Sequence, residues 1–307
     1  MATLLDFRRR IRSVKNTQQI TRAMKFVAAA RLRRAQEAAL AARPYAVEVA
    51  RVLRSTMARI ESPEHPLLAV RPENNILAVV LTGERGLAGA FNSNVLRKAH
   101  EFFRTHQGQG KKITTIPVGK KGRDSLRRAG FTFAAEYINV LARVDFKTAR
   151  EIANLVADLY IKEEIDSVYI IFSEFKSVMT PTLAVEKLLP VESIRDDENE
   201  NKSSPQHAES ATQKPDHATE TPVDYIYEQP ESQILAKLLP RYIETQVLRA
   251  MLESSAAEHA ARMTAMEAAT NNANDVIEAL TLHMNKVRQA AITKEIIEIV
   301  SGASYGA

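Results

Sequence analysis

The chain has 307 residues, 45% of them hydrophobic and 26% charged, with a formal net charge of +5 and neither Cys nor Trp. Such a composition fits a globular protein and argues against global disorder. The lack of Cys excludes disulfides, thiolate metal sites, a Cys nucleophile and any thiol redox switch. Seven His are scattered with no pair at ligand spacing, so neither a metal nor another cofactor is expected.

The net charge hides an asymmetry. The first segment carries Arg8, Arg9, Arg10, Arg12, Lys15, Arg22, Lys25, Arg31, Arg33 and Arg34 against Asp6 and Glu37, whereas the stretch from Arg195 to Pro222 is acidic. A split of this kind marks an interaction surface and says nothing about the fold. No window reaches the ~18 apolar residues of a membrane span; NILAVVLTG comes nearest and has polar flanks. The apolar run in MATLLDFRRRIRSVKN is too short for a signal peptide, so a cytosolic chain is expected.

In chain order, residues 1–60 predict a helix. From Thr3 to about Ile60 there is no Gly and one Pro, Pro44, which allows up to ~85 Å of helix. Pro44 is expected to kink or break it, or to begin a new turn. After ESPEHP the period changes. Residues 75–191 alternate strand-like runs (NILAVVLTG, KITTIPVG, FTFAAEYI, SVYIIFSEF, TPTLAVEKLLPV) with helical ones, predicting a Rossmann-like α/β domain with a mostly parallel sheet. Asp145 is positioned to cap the helix FKTAREIANLV. Residues 195–222 have almost no large apolar side chain and read as a flexible acidic loop.

Residues 231–301 predict a second long helix, with Pro240 near its start and no Gly before Gly302, up to ~105 Å if continuous. Steps of three and four run through Met263, Met266, Thr270, Ala273, Ile277, Leu280, Met284, Val287 and Ala291, a coiled-coil seam. The first helix offers a matching stripe: Phe7, Ile11, Val14, Thr21, Met24, Ala28, Leu32 and Ala35. Two such helices pair most simply as a long antiparallel coiled coil with the α/β domain inserted. Beyond Ala291, however, Ile292, Ile296, Ile297, Ile299 and Val300 spread around most of the helix circumference. An all-round apolar helix needs something to surround it. Either it folds back on the α/β domain, which no Gly or Pro permits, or it fits an apolar sleeve in another protein.

Catalytic patterns are missing. TGERGLAGAFN follows a strand, but its Gly spacing fits neither the dinucleotide fingerprint nor the phosphate loop, and a tight strand-to-helix turn accounts for it. There is no G-x-S-x-G and no His clustered with a carboxylate. RRRIRSVKN has charge for nucleic acid without interleaved aromatics; a basic coiled-coil nucleic-acid binder therefore stays open as the alternative reading.

IRSVKNTQQITRAMKFVAAARLRRAQ, TGERGLAGAFN, DYIYEQP, AARMTAMEAATNNANDVI and NKVRQAAITKEIIEIVSGA together resemble the gamma subunits of bacterial F-type ATP synthases, over nearly the whole chain and most densely at both ends. The resemblance implies a non-catalytic rotor shaft. Its terminal helices would turn inside a ring of three alpha and three beta subunits, and the α/β foot would dock with epsilon on the membrane c-ring. Transmembrane ion flow would thereby drive ATP synthesis from the cytoplasmic face of the bacterial inner membrane. Nucleic acid and a membrane span of its own would play no part. Carried over residue by residue, the ring contacts would be Met24, Lys25, Arg262, Arg288, Gln289, Thr293, Ile296 and Ile297. The foot contacts would be Tyr225, Tyr227 and Glu228. The acidic loop falls where photosynthetic members carry a dithiol insert; without Cys, redox control of that kind is excluded.

Overall fold

A computed structural model describes residues 3–57, 65–175, 177, 181–191 and 230–304. Helix α1 (Leu4–Met57) opens on a capping box. The Asp6 amide donates to Thr3 Oγ1 at 3.3 Å and the Thr3 amide to Asp6 Oδ2 at 3.0 Å, filling donors that a helix start leaves free. Pro44 lies inside α1 and does not end it. The carbonyl it deprives of a partner belongs to Leu40, and both residues are exposed, so water can supply the missing donor. Pro240 is likewise inside the last helix, four residues after the exposed Ala236.

Between the terminal helices come β1 (Asn75–Leu81), α2 (Phe91–Gly108), β2 (Lys112–Val118), α3 (Lys120–Arg128), β3 (Thr132–Phe133), α4 (Phe146–Ile161), β4 (Ser167–Phe175) and β5 (Pro181–Leu189), followed by α5 (Glu231–Ser304). The five strands form one sheet in the order β3-β2-β1-β4-β5. All neighbours are parallel except β5, which returns antiparallel to β4 with Phe175 opposite Pro181. The mostly parallel α/β sheet between two long terminal helices is thus the architecture the sequence pattern implies.

FTFAAEYI yields only a two-residue strand. Tyr137 N–H donates to the Pro117 carbonyl at 3.0 Å, which places the missing amide of Pro117 on that same side of β2. The ladder toward β3 therefore lacks a donor there. The residues beyond Phe133 rejoin only through an isolated bridge between Tyr137 and Val118. Asp145 caps α4 as expected, accepting the Thr148 amide at 2.8 Å.

The described residues fall into two compact units. One comprises Met1–Arg33, Leu87–Gly89 and Glu258–Ala307; the other comprises Arg34–Gly86 and Ala90–Ala257. In the second, side chains alternate across β1. Leu77, Val79 and Leu81 join a core with α4, Leu53 of α1, and Leu239, Ile243, Val247 and Met251 of α5. Ala78 and Val80 face Val95, Ala99 and Phe103 of α2 and Leu126 of α3. Both faces of the central strands are buried, as a parallel sheet requires.

In the first unit α1 and α5 run antiparallel. Moving up α1, Phe7 meets His283 with ring centroids 5.0 Å apart. Gln18 bonds Asn274, Thr21 and Thr270 hydroxyls lie 2.8 Å apart, and Lys25 reaches Glu267 at 2.6 Å. Every seam residue from Met263 to Ala291 is at least half-buried, while most of the residues between them are exposed. Among the described residues, no helix is long and apolar enough to cross a membrane.

Candidate functional site

The glycine loop after β1 is closed on itself. The Gly83 amide donates to Asn92 Oδ1 at 2.8 Å, and the Gly122 amide to Thr82 Oγ1 at 2.7 Å. The Lys120 amide, at the start of α3, donates to a Glu84 carboxylate oxygen at 3.1 Å. These three amides, which could otherwise help to cradle a phosphate, are occupied by the chain's own side chains. Gly119 has φ +103°, and a Cβ there would lie 1.9 Å from the Thr82 carbonyl oxygen, so its glycine serves close strand-to-helix packing. Among the described residues no group of His, Asp and Glu is arranged to hold a metal ion.

What remains is the surface of the paired helices, where the candidate residues form two groups. Met24 is half-buried in the seam; Lys25 beside it is paired with Glu267. Arg262, on α5, is mostly enclosed rather than displayed. Its guanidinium bonds Glu258 Oε1 at 2.5 Å and approaches His259 Nδ1 at 3.3 Å. The Arg262 and Glu258 side chains are only 14% and 7% exposed. Burial, with the charges of Arg262 and Arg31 added, lowers the His259 pKa to about 4, so the imidazole is neutral near pH 7.

The second group lies about 39 Å further along α5, at ~1.5 Å per residue. Arg288, Gln289 and Thr293 are all exposed, and the Thr293 hydroxyl donates to the Gln289 carbonyl at 2.9 Å. Ile292, Ile296, Ile297 and Ile299 are 49–71% exposed. The register explains this. Phe7 already faces His283, so α1, which begins at Leu4, runs out a few residues later. Helix α5 continues to Ser304, and among the described residues none of α1 lies across from Ile296, Ile297 and Ile299. Tyr225, Tyr227, Glu228 and the acidic stretch 195–222 lie outside the described residues.

A family model described as ATP synthase matches residues 3–304. The chain is 47% identical to an ATP synthase gamma chain of Solibacter usitatus and 44% identical to one of Pelotomaculum thermopropionicum, each alignment covering 99% of both chains. This chain belongs to the ATP synthase gamma-chain family. Solved structures agree on the fold. The Tetrahymena thermophila mitochondrial ATP synthase central stalk and c-ring structure contains a chain 25% identical, matched over 81% of this chain and 99% of that one with a TM-score of 0.58. A chain of the Euglena gracilis mitochondrial ATP synthase, in a structure of OSCP, F1 and c-ring, is 19% identical, with 98% and 93% covered and a TM-score of 0.64.

Sequence reasoning did not identify the partners that hold the family's candidate residues. Glu258 and Arg262 stand four apart in the text, a spacing that suits a helical ion pair, but nothing in the pattern marked them as buried. Glu267 as the partner of Lys25 required the interhelical register. Exposed apolar side chains elsewhere on the pair, notably Phe26 at 61% and Leu282 at 61%, fall off the seam and were not singled out.

Proposed function

We propose that the chain is the rotor shaft of an F-type ATP synthase, coupling ion flow through a c-ring to ATP synthesis and hydrolysis in a surrounding ring of three alpha and three beta subunits. The observation that carries this reading is the unpartnered apolar end of α5, with Ile296 and Ile297 more than half exposed. An apolar sleeve in the ring would bury it.

The paired helices present a different side chain at each angle, so as they turn, each beta subunit in succession meets a different surface. Contact energy that differs between conformations shifts their populations, and this is how a non-catalytic shaft drives catalysis elsewhere. Met24, Lys25 and Arg262 would form one level of ring contact, and Arg288, Gln289, Thr293, Ile296 and Ile297 the upper one. The α/β domain of residues 75–191 would be the foot, docking with epsilon on the c-ring and using Tyr225, Tyr227 and Glu228. The neighbouring structures, of a central stalk with its c-ring and of an F1 with its c-ring, support this placement. The protein would sit as a peripheral subunit on the cytoplasmic face of the bacterial inner membrane.

The test is assembly. Purified alpha and beta subunits are mixed with the chain and resolved by size exclusion. One copy per three alpha and three beta, with cooperative ATP hydrolysis confined to that complex, is expected. Folded alpha and beta that ignore the chain would refute the reading.

A further inference from the structure

The enclosure of Arg262 has a consequence for how strongly the shaft grips the ring. A guanidinium offers five donors in a fixed fork. In this chain it is turned inward, against Glu258 Oε1 at 2.5 Å and His259 Nδ1 at 3.3 Å, with Glu258 and His259 each 5% exposed. Glu258 precedes Arg262 by one turn, the favourable orientation for a helical pair. Burial makes the pair sensitive to loss of either partner, since it would leave a desolvated charge.

We propose that Glu258 and His259 are positioning residues that hold Arg262 retracted, and that Arg262 exchanges Glu258 for a carboxylate of the encircling subunits at one stage of each turn. The inference rests on the rotor reading above. The charge of the cluster points to the partner's chemistry. His259 is neutral near pH 7, because burial and the neighbouring charges hold its pKa down to about 4, so Glu258 is the anionic partner of Arg262 in the cluster. A group that takes the place of Glu258 must likewise carry a negative charge to balance the guanidinium. The internal carboxylate competes with that group, so Glu258 limits how long the contact lasts.

The experiment uses the chain assembled with alpha and beta subunits and compares E258Q, E258D, R262Q and E258Q/R262Q. Without its internal acceptor Arg262 grips the ring longer, so E258Q lowers kcat for ATP hydrolysis about threefold or more, within the range of coupling between residues in direct contact, and leaves the KM for ATP unchanged. E258D, which keeps the charge, restores turnover. In the R262Q background E258Q has no effect, because Glu258 acts through Arg262. An equal loss from E258Q in both backgrounds, paralleled by a lowered Tm of the free chain, would show a merely structural role and overturn the inference. So would an E258Q complex with unchanged turnover, whether or not R262Q alters it. Failure of the unsubstituted chain to assemble would instead overturn the rotor reading itself.

Discussion

Lys25 Nζ lies 2.6 Å from Glu267 Oε1, joining α1 to α5 between the Thr21–Thr270 and Arg262 levels of the helix pair. The two side chains are 33% and 51% exposed, so water screens the attraction. Exposed ion pairs of this kind contribute about 0.2–1 kcal/mol. K25A, E267A and the double variant, followed by denaturant unfolding of the free chain, should give a coupling energy in that range. A larger effect of K25A on turnover in the assembled ring would then come from a ring contact and not from the stability of the shaft.

Glu73 ties the sheet together. Burial alone would raise its pKa, but hydrogen bonds from Lys111, Lys187 and the Tyr169 hydroxyl outweigh it and hold the pKa at about 2. A depressed acid stabilises the fold above its unfolded value, near 4.5, and that contribution is lost as pH falls through about 2. E73Q should therefore destabilise the chain by about 1–3 kcal/mol at neutral pH. The loss should shrink as wild type and variant are compared at successively lower pH between 4.5 and 2. Thermal unfolding across that window measures it.

Glu253 behaves in the opposite sense. Burial is the main cause that raises its pKa to about 7; Arg249 and Arg43 oppose it, and Glu174 and Glu186 add to it. One of its carboxylate oxygens is buried without a hydrogen-bond partner. Between about pH 4.5 and 7 the folded chain holds a proton there that the unfolded chain has released. The contribution of Glu253 to stability is therefore most favourable below about 4.5 and declines as pH rises toward 7. E253Q should leave stability at pH 4 nearly unchanged and raise it at pH 8 by about 1–2 kcal/mol. Denaturant midpoints at the two pH values give the answer.

Ile296 and Ile297 are more than half exposed in the chain alone, so replacing both with Asp should change its own stability by no more than about 0.5 kcal/mol per site. Association with alpha and beta should fall at least tenfold, because two charges would enter an apolar sleeve. Comparing Tm of the free chain with its affinity for the ring separates the two effects.

Much of this was legible in the sequence because the signals are periodic. The three-and-four spacing from Met263 to Ala291 located the seam, and the same spacing breaks down where the isoleucines lose their partner. The switch to short apolar runs located the sheet, and Asp145 before FKTAREIANLV located a cap that the structure contains. Signals that depend on what lies across space were not legible. Phe131 to Ile138 looks like a strand, yet the missing amide belongs to Pro117 on the neighbouring β2. Pro44 looks like a helix breaker, yet its exposure and that of Leu40 leave the unpaired carbonyl to water. The polar contacts Gln18–Asn274 and Thr21–Thr270 join residues some 250 positions apart, and only the interhelical register brings them together.

The most direct test of the account is to watch the chain turn. With no native Cys, E101C on the exposed side of α2 gives a single attachment point for a fluorescent or bead probe, added before assembly with alpha and beta subunits tethered to a surface. During ATP hydrolysis the account predicts unidirectional rotation of the probe with three stops per turn, one for each beta subunit. A tightly bound chain that stays still while the same complex hydrolyses ATP would contradict it.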